Sequence, residues 1–165
     1  MEPLTPLDVQ KALDAYQLGI QIQTFDESTA TSAEAAAAIG TTLGSIVKSL
    51  VFVIEEQPIV VLAAGDQKID TRKLAALYEV GRKKVKIASP EQCIEYVGYA
   101  PGGVPPLGHR QPLPIYIDAT LQRFEMVYAA AGTPNAIFPI PFVTLVDISR
   151  GKVTDVIVDD EARPD

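Results

Sequence analysis

Apolar positions recur with two different periods along this chain, and the switches between them mark its elements. From Asp8 to Leu18, apolar Val9, Ala12, Leu13 and Tyr16 fall at helical spacing and Gly19 supplies a stop, which predicts an amphipathic helix. Ile20 to Phe25 alternates apolar and polar residues as a short strand does. Thr31-Ser32-Ala33-Glu34 has the spacing of a capping box; the alanine run to Ile39 is the helix it starts, and Gly40 ends it. Ile46 to Ile54 and Ile59 to Ala64 are β-branched runs joined by the polar turn Glu55-Glu56-Gln57-Pro58. They predict an antiparallel hairpin, apolar on both faces and therefore central in its sheet.

The second half is less regular. Asp70 caps a helix through Tyr78 that Gly81 ends, Val85 to Ala88 is a short strand, and Ser89-Pro90 opens a helix to about Val97. Between Tyr99 and Pro114 lie five prolines and three glycines (Gly102, Gly103 and Gly108), a density that neither a helix nor a central strand tolerates, so this is a loop. Ile115 to Ile117 and Met126 to Ala131 read as strands around a short helical turn at Ala119 to Phe124. A proline-spaced stretch (Pro134, Pro139, Pro141) precedes a helix over Val143 to Ile148, and Val153 to Val158 makes a last strand. The order mixes hairpins and helices, with no repeat and no linker. It predicts one mixed α/β domain over residues 1–165, built on a curved, mostly antiparallel, barrel-like sheet flanked by helices. The core covers about 25–158, and the acidic tail 159–165 is frayed.

Composition narrows the classes. At 165 residues, 47% hydrophobic and a mean hydropathy of +0.15, the chain has ample apolar surface for a core, which excludes wholesale disorder. Apolar runs are strand-sized, far short of the ~20 residues of a membrane-spanning helix, and the N-terminus has no secretory pattern. One cysteine (Cys93) and one histidine (His109) argue against a disulfide framework and against a zinc site. These features predict a cytoplasmic location with no metal and no membrane partner.

A net charge of −7 argues against a general nucleic-acid binder such as a DNA-binding protein. The charge is uneven, however. Asp66 to Lys86 carries seven basic and three acidic residues, a net +4 that leaves −11 elsewhere. Such a segment is either a solvated lysine-rich turn or a local phosphate contact.

Two features could carry chemistry. Lys48 sits at the start of the predicted central strand, where a lysine either snorkels from the strand end or lies partly desolvated in a cleft and binds an anion. The loop Gly102-Gly103-Val104-Pro105-Pro106-Leu107-Gly108 joins backbone access at glycine to stiffness at proline, which suits a small polar ligand as well as a structural Ω-loop. No GxSxG elbow, phosphate loop or paired carboxylates at a telling spacing occur, and Cys93 reads as a small core residue. An enzyme of this composition works by positioning rather than through a covalent intermediate.

Taken in order, Ile46-Val47-Lys48-Ser49-Leu50-Val51-Phe52, Gly65-Asp66 with Lys73-Leu74, Gly98-Tyr99, the Gly102 to Gly108 loop, Ile117-Asp118 and Ala131-Gly132 resemble the YbaK/EbsC family. That family includes the insertion domain of bacterial prolyl-tRNA synthetase and its free-standing editing relatives. The resemblance covers roughly residues 25–158. It implies a single mixed α/β domain that hydrolyses small amino acids wrongly esterified to tRNA, most often proline tRNA, without a cofactor. Lys48 matches the family's essential lysine, which contacts the tRNA 3′ end, and Gly102 to Pro106 matches its GxxxP loop, which holds the aminoacyl group. The implied substrate-binding set is Gly102, Gly103, Val104, Pro105, Pro106, His109 and Gly132. Arg82, Lys83, Lys84 and Lys86 are weak tRNA contacts, and prolyl-tRNA synthetase is a candidate partner. Water, the ribose 2′-hydroxyl or the substrate's own side chain supplies the attack. Cysteine-directed members often carry Ser-Ala-Gly where this chain has Ala130-Ala131-Gly132, which argues against cysteine as the substrate. A non-catalytic module that binds an aminoacyl or nucleotide ligand, or a protein partner, is the alternative reading.

Overall fold

The computed structural model describes residues 2–159; the acidic tail beyond Asp159 lies outside the described residues. Its frame is the predicted hairpin, β2 (Ile46–Ile54) and β3 (Gln57–Ala64), paired over its whole length. The turn is tighter than the four polar residues suggest: Glu55 and Glu56 alone make it, both at positive φ, as a two-residue hairpin turn requires.

Around the hairpin the sheet runs β1 (Gln23–Thr24), β7 (Ala136–Pro141), β6 (Met126–Ala130), β2, β3, β5 (Ile115–Asp118) and β8 (Lys152–Thr154). β4 (Val85–Ile87) also pairs with β2. Four pairings are antiparallel and three (β2 with β6, β3 with β5, β5 with β8) are parallel. This is the expected mixed α/β class, with a sheet that stays open: β1 and β8 end it, and it does not close into a barrel.

Helices cover both faces. Val47, Val51, Val60, Leu62, Ile117, Val127 and Phe138 bury one face against α1 (Pro6–Asp14), α4 (Pro90–Tyr96) and α5 (Phe142–Ser149), through Val9, Leu13, Cys93, Val97 and Leu145. On the other face, Ile46 and Ile137 pack under α2 (Ser32–Ile39), while Phe52, Ile54, Ile59 and Val61 pack under α3 (Thr71–Leu77). Alternation along β2 puts Lys48 on this second face, between the residues covered by α2 and those covered by α3.

Local chemistry explains where elements depart from the sequence pattern. α1 starts at Pro6 because Asp8 reaches back to accept the Thr5 amide at 2.7 Å, placing the cap four residues before Val9, the first position of the apolar pattern. The expected strand over Ile20 to Phe25 shrinks to two residues because the Gln10 amide group donates to the Ile20 carbonyl and accepts the Ile22 amide. The reversal after α3 falls at Glu79, at positive φ, rather than at Gly81. β8 ends at Thr154; beyond it the chain follows residues 68–70 instead, where Val156 accepts the Asp70 amide and Val158 donates to Lys68.

β7 had no sequence signal because prolines interrupt it. Ala136 and Phe142 bond toward β6 through the Ala131 amide and the Glu125 carbonyl, whereas Asn135 faces β1 and accepts the Phe25 amide. By the two-residue period, Pro139 faces the β1 side beyond the reach of that short strand, so the proline withholds no ladder bond.

Gly65, at the exit of β3, packs against the turn before β2 and the start of α2: an added Cβ would collide with the Leu43 carbonyl oxygen and lie 2.8 Å from Ser32 Cβ. Gly65→Ala is therefore expected to cost about 1–3 kcal/mol, read as a lower urea midpoint with an unchanged m-value.

Candidate functional site

A strand carries one neighbour on each edge, and β2 divides one edge between two. β6 pairs with its first two residues, Ile46 and Val47, in parallel; β4 pairs with Phe52, Val53 and Ile54, antiparallel. The two strands part across residues 48–50, and a pocket of about 80 Å³ opens at the parting. One water needs about 10–15 Å³ of such free space, so the pocket admits a group of a few heavy atoms. Lys48, Ser49 and Leu50 form one wall, Tyr128 to Ala130 of β6 another, and Thr29 to Ser32 with Ala35 a third. Gly102 and Val104 of the proline-glycine loop complete it.

Lys48 is half-buried and donates through Nζ to the Gln67 carbonyl. Burial lowers its pKa from the ordinary lysine value, and the charges of Asp118 and Asp66 oppose that shift. Asp118 belongs to the same face: Lys48 pairs with Ala63, and β3 pairs with β5 so that Asp118 comes next across the sheet. Its carboxylate is fully buried and accepts the Ala64 amide, the Thr120 amide and the Thr120 hydroxyl at 2.8–3.0 Å. Asp66 is held by a two-pronged bond from Arg123, which lowers its pKa. The lysine thus faces two anchored carboxylates that favour its charged form.

The loop is seated by close backbone approach. Gly102 has φ +88°, and a Cβ there would meet Ala30 Cβ at 3.1 Å. A Cβ on Gly103 would lie 3.0 Å from the backbone of Gly132 and Thr133; Gly103 accepts the Gly132 amide and donates to Ala100. Neither the amide of Gly102 nor that of Val104 donates to another described residue.

The remaining residues singled out in the sequence do not line this pocket. Gly132, at φ +103°, packs on the start of α1, with Pro6 N 3.0 Å from its would-be Cβ. Pro106 and His109 line a separate open groove against α1 and α5, and His109 Nε2 donates to the Pro105 carbonyl at 2.6 Å. Burial lowers the His109 pKa, against that hydrogen bond. Arg82, Lys83, Lys84 and Lys86 are exposed along the turn before β4 and on β4 itself. β4 pairs with the far half of β2, so Val53, opposite Lys86, lies five residues or about 16 Å along the strand from Lys48. Cys93 is buried in α4 and its thiol pKa is raised by that burial. Among the described residues, no group of three or more His, Cys, Asp or Glu is placed to hold a metal ion, and no helix is long and apolar enough to cross a membrane.

Ser49 was not singled out by sequence reasoning. Its Oγ is buried with no hydrogen-bond partner among the described residues. One serine in an apolar run carries no signal until the wall around it is known.

Residues 26–148 match the family described as the aminoacyl-tRNA editing domain. The chain belongs to that family. Editing an aminoacyl-tRNA is hydrolysis of its ester, so members of this class are aminoacyl-tRNA deacylases. YwhH of Bacillus subtilis, described as an uncharacterized protein, is 37% identical over 130 residues, covering 78% of this chain and 81% of YwhH. EbsC of Enterococcus faecalis, described as a "Putative Cys-tRNA(Pro)/Cys-tRNA(Cys) deacylase", is 28% identical over 127 residues, 76% of each chain. A crystal structure of "a putative trans-editing enzyme for prolyl tRNA synthetase" superposes with a TM-score of 0.86 at 37% identity, covering 93% of this chain and 97% of that one. The editing-domain match spans both Lys48 and the Gly102 to Pro106 loop.

Removing the Asp118 charge tests this electrostatic arrangement. Asp118→Asn is expected to destabilise the fold by about 1–3 kcal/mol, because one of three buried donors loses its acceptor. It is also expected to move the Lys48 titration, followed by NMR of labelled lysine side chains, to still lower pH.

Proposed function

We infer that this chain is a trans-editing hydrolase that removes a small misattached amino acid from the 3′ end of a tRNA, with proline tRNA as its first candidate. The observation that carries this reading is the meeting of Lys48 with Gly102 and Val104 in one small pocket, although more than 50 residues separate them in the chain. The relatives' names support proline tRNA as substrate and prolyl-tRNA synthetase as a partner. A tRNA substrate supports a cytoplasmic site of action.

The chemistry asked of the protein is modest. An aminoacyl ester is already activated, so holding it rigidly beside its attacking group supplies much of the acceleration. The ammonium of Lys48 binds the terminal nucleotide through its phosphate or ribose oxygens. The free amides of Gly102 and Val104 face the ester carbonyl and stabilise the oxyanion that forms on attack. Water, oriented by a neighbouring substrate hydroxyl, attacks the carbonyl; the carbonyl–O3′ bond breaks, the released O3′ takes the proton that the attacking water gives up, and free amino acid and tRNA leave. No pocket residue acts as covalent nucleophile in this scheme; Cys93 is buried with a raised pKa and does not line the pocket. Arg82, Lys83, Lys84 and Lys86 add a salt-sensitive contact to phosphates farther along the tRNA. The whole chain works as a single editing domain.

Deacylation of proline tRNA charged with alanine, serine, threonine or cysteine tests the reading. Lys48→Ala is expected to lower kcat/KM at least ~100-fold on the preferred substrate while its melting temperature stays near that of the wild type. Because burial lowers the Lys48 pKa, the enzyme-dependent rate should fall on an alkaline limb centred below the ordinary lysine value of 10.5, after subtraction of spontaneous ester hydrolysis. Wild type with no hydrolysis above background on any of the four, or equal to Lys48→Ala, would overturn it.

A further inference from the structure

Ser49 follows Lys48 on β2, so its side chain takes the opposite face, the one that carries Val47 and Val51. Its Oγ is buried and has no hydrogen-bond partner among the described residues. Buried hydroxyls are nearly always paired, and an unpaired one in a pocket wall needs an explanation. Its surroundings offer none: Ile46, Val47, Leu50, Val104 and Ala129 line the same pocket with apolar groups. Two other wall hydroxyls are already engaged, Thr29 Oγ1 with the Pro134 carbonyl and Thr31 Oγ1 with Glu34. Ser32 and Tyr128 also bring wall hydroxyls without a partner among the described residues, and the amides of Gly102 and Val104 are open. Among the described residues, however, the fully buried, unpaired side-chain hydroxyl is that of Ser49, in a space of about 80 Å³.

We propose that Ser49 reads a hydroxyl on the side chain of the misattached amino acid, so that the pocket selects serine over alanine. This rests on the pocket being the place where the amino acid is removed. Volume restricts entry to small side chains but cannot separate alanine from serine. Hydrogen bonding can: a seryl group gives Ser49 Oγ its missing partner, whereas an alanyl group fills the same space and leaves the hydroxyl buried and unpaired. A thiol is a weaker partner at both ends of the bond, which places cysteine behind serine.

The test compares kcat/KM for Ser- and Ala-charged proline tRNA across wild type, Ser49→Ala and Ser49→Thr, with melting temperatures as the folding control. Wild type should prefer serine by at least ~10-fold, Ser49→Ala should bring the ratio close to one, and Ser49→Thr, which keeps the hydroxyl, should retain the preference. A wild type that removes alanine as fast as serine overturns the proposal. So does a Ser49→Ala variant that slows both substrates alike, since Ser49 then serves a part common to both. Binding of amide-linked, non-hydrolysable seryl- and alanyl-adenosine analogues asks the same question without turnover. Tighter seryl binding that disappears in Ser49→Ala supports the proposal even if no substrate is hydrolysed, an outcome that contradicts the deacylase reading alone. Equal binding of the two analogues to wild type overturns it.

Discussion

Each edge of a β-strand satisfies its backbone groups with one neighbour at a time. β2 gives the beginning of one edge to β6 and the end of it to β4, and those two strands cannot meet. The interval between them is where the molecule can admit a ligand without breaking its core, and everything about the site follows from it. The hairpin partner β3 holds the other edge of β2 along its entire length, so the strand stays rigid across the interval. Backbone and side chains from several elements converge there, as a ligand cleft requires.

Charge is then set by what faces Lys48. An ammonium taken partly out of water loses solvation, and this one recovers part of it from the Gln67 carbonyl and from the two carboxylates nearby. Those carboxylates are themselves pinned, Asp118 by backbone amides and Asp66 by Arg123, so the field at the lysine does not depend on mobile side chains. The chain can be acidic overall and still hold a localised cation at its pocket, which the proposed function assigns to a tRNA end. Four further exposed basic residues, Arg82, Lys83, Lys84 and Lys86, lie on the turn before β4 and on β4, which pairs with the same strand β2 that carries the lysine.

Much of this was legible from residue patterns, for identifiable reasons. The β2–β3 hairpin shows as two β-branched runs, the α2 cap as Thr31 with Glu34, and the α4 start as Ser89-Pro90, because each signal is local. The loop showed by its prolines and glycines, and Lys48 by being a cation in an apolar run. What stayed hidden depended on distant partners. Pro139 masked β7 because only the pairing shows that its missing amide faces outward. Gln10 replaced a strand by bonding residues 20 and 22 from a helix. The parallel pairings of β5 with β3 and β8 join segments far apart in the chain. Within the site, Pro105, Pro106, His109 and Gly132 are near Gly102 in sequence or in motif, yet the turn of the backbone directs Pro106 and His109 to the far side of the loop and Gly132 to α1. Ser49 had no signal of its own.

The claim on which the rest stands is that the lysine and the loop grip one substrate end in one pocket. A crystal structure with an amide-linked aminoacyl-adenosine analogue tests it most directly. The account predicts the analogue's carbonyl oxygen within hydrogen-bonding distance of the Gly102 or Val104 amide and its adenosine on the Lys48 side of the pocket. An analogue seated in the groove lined by Pro106 and His109, with the space between β6 and β4 left unchanged, would contradict it.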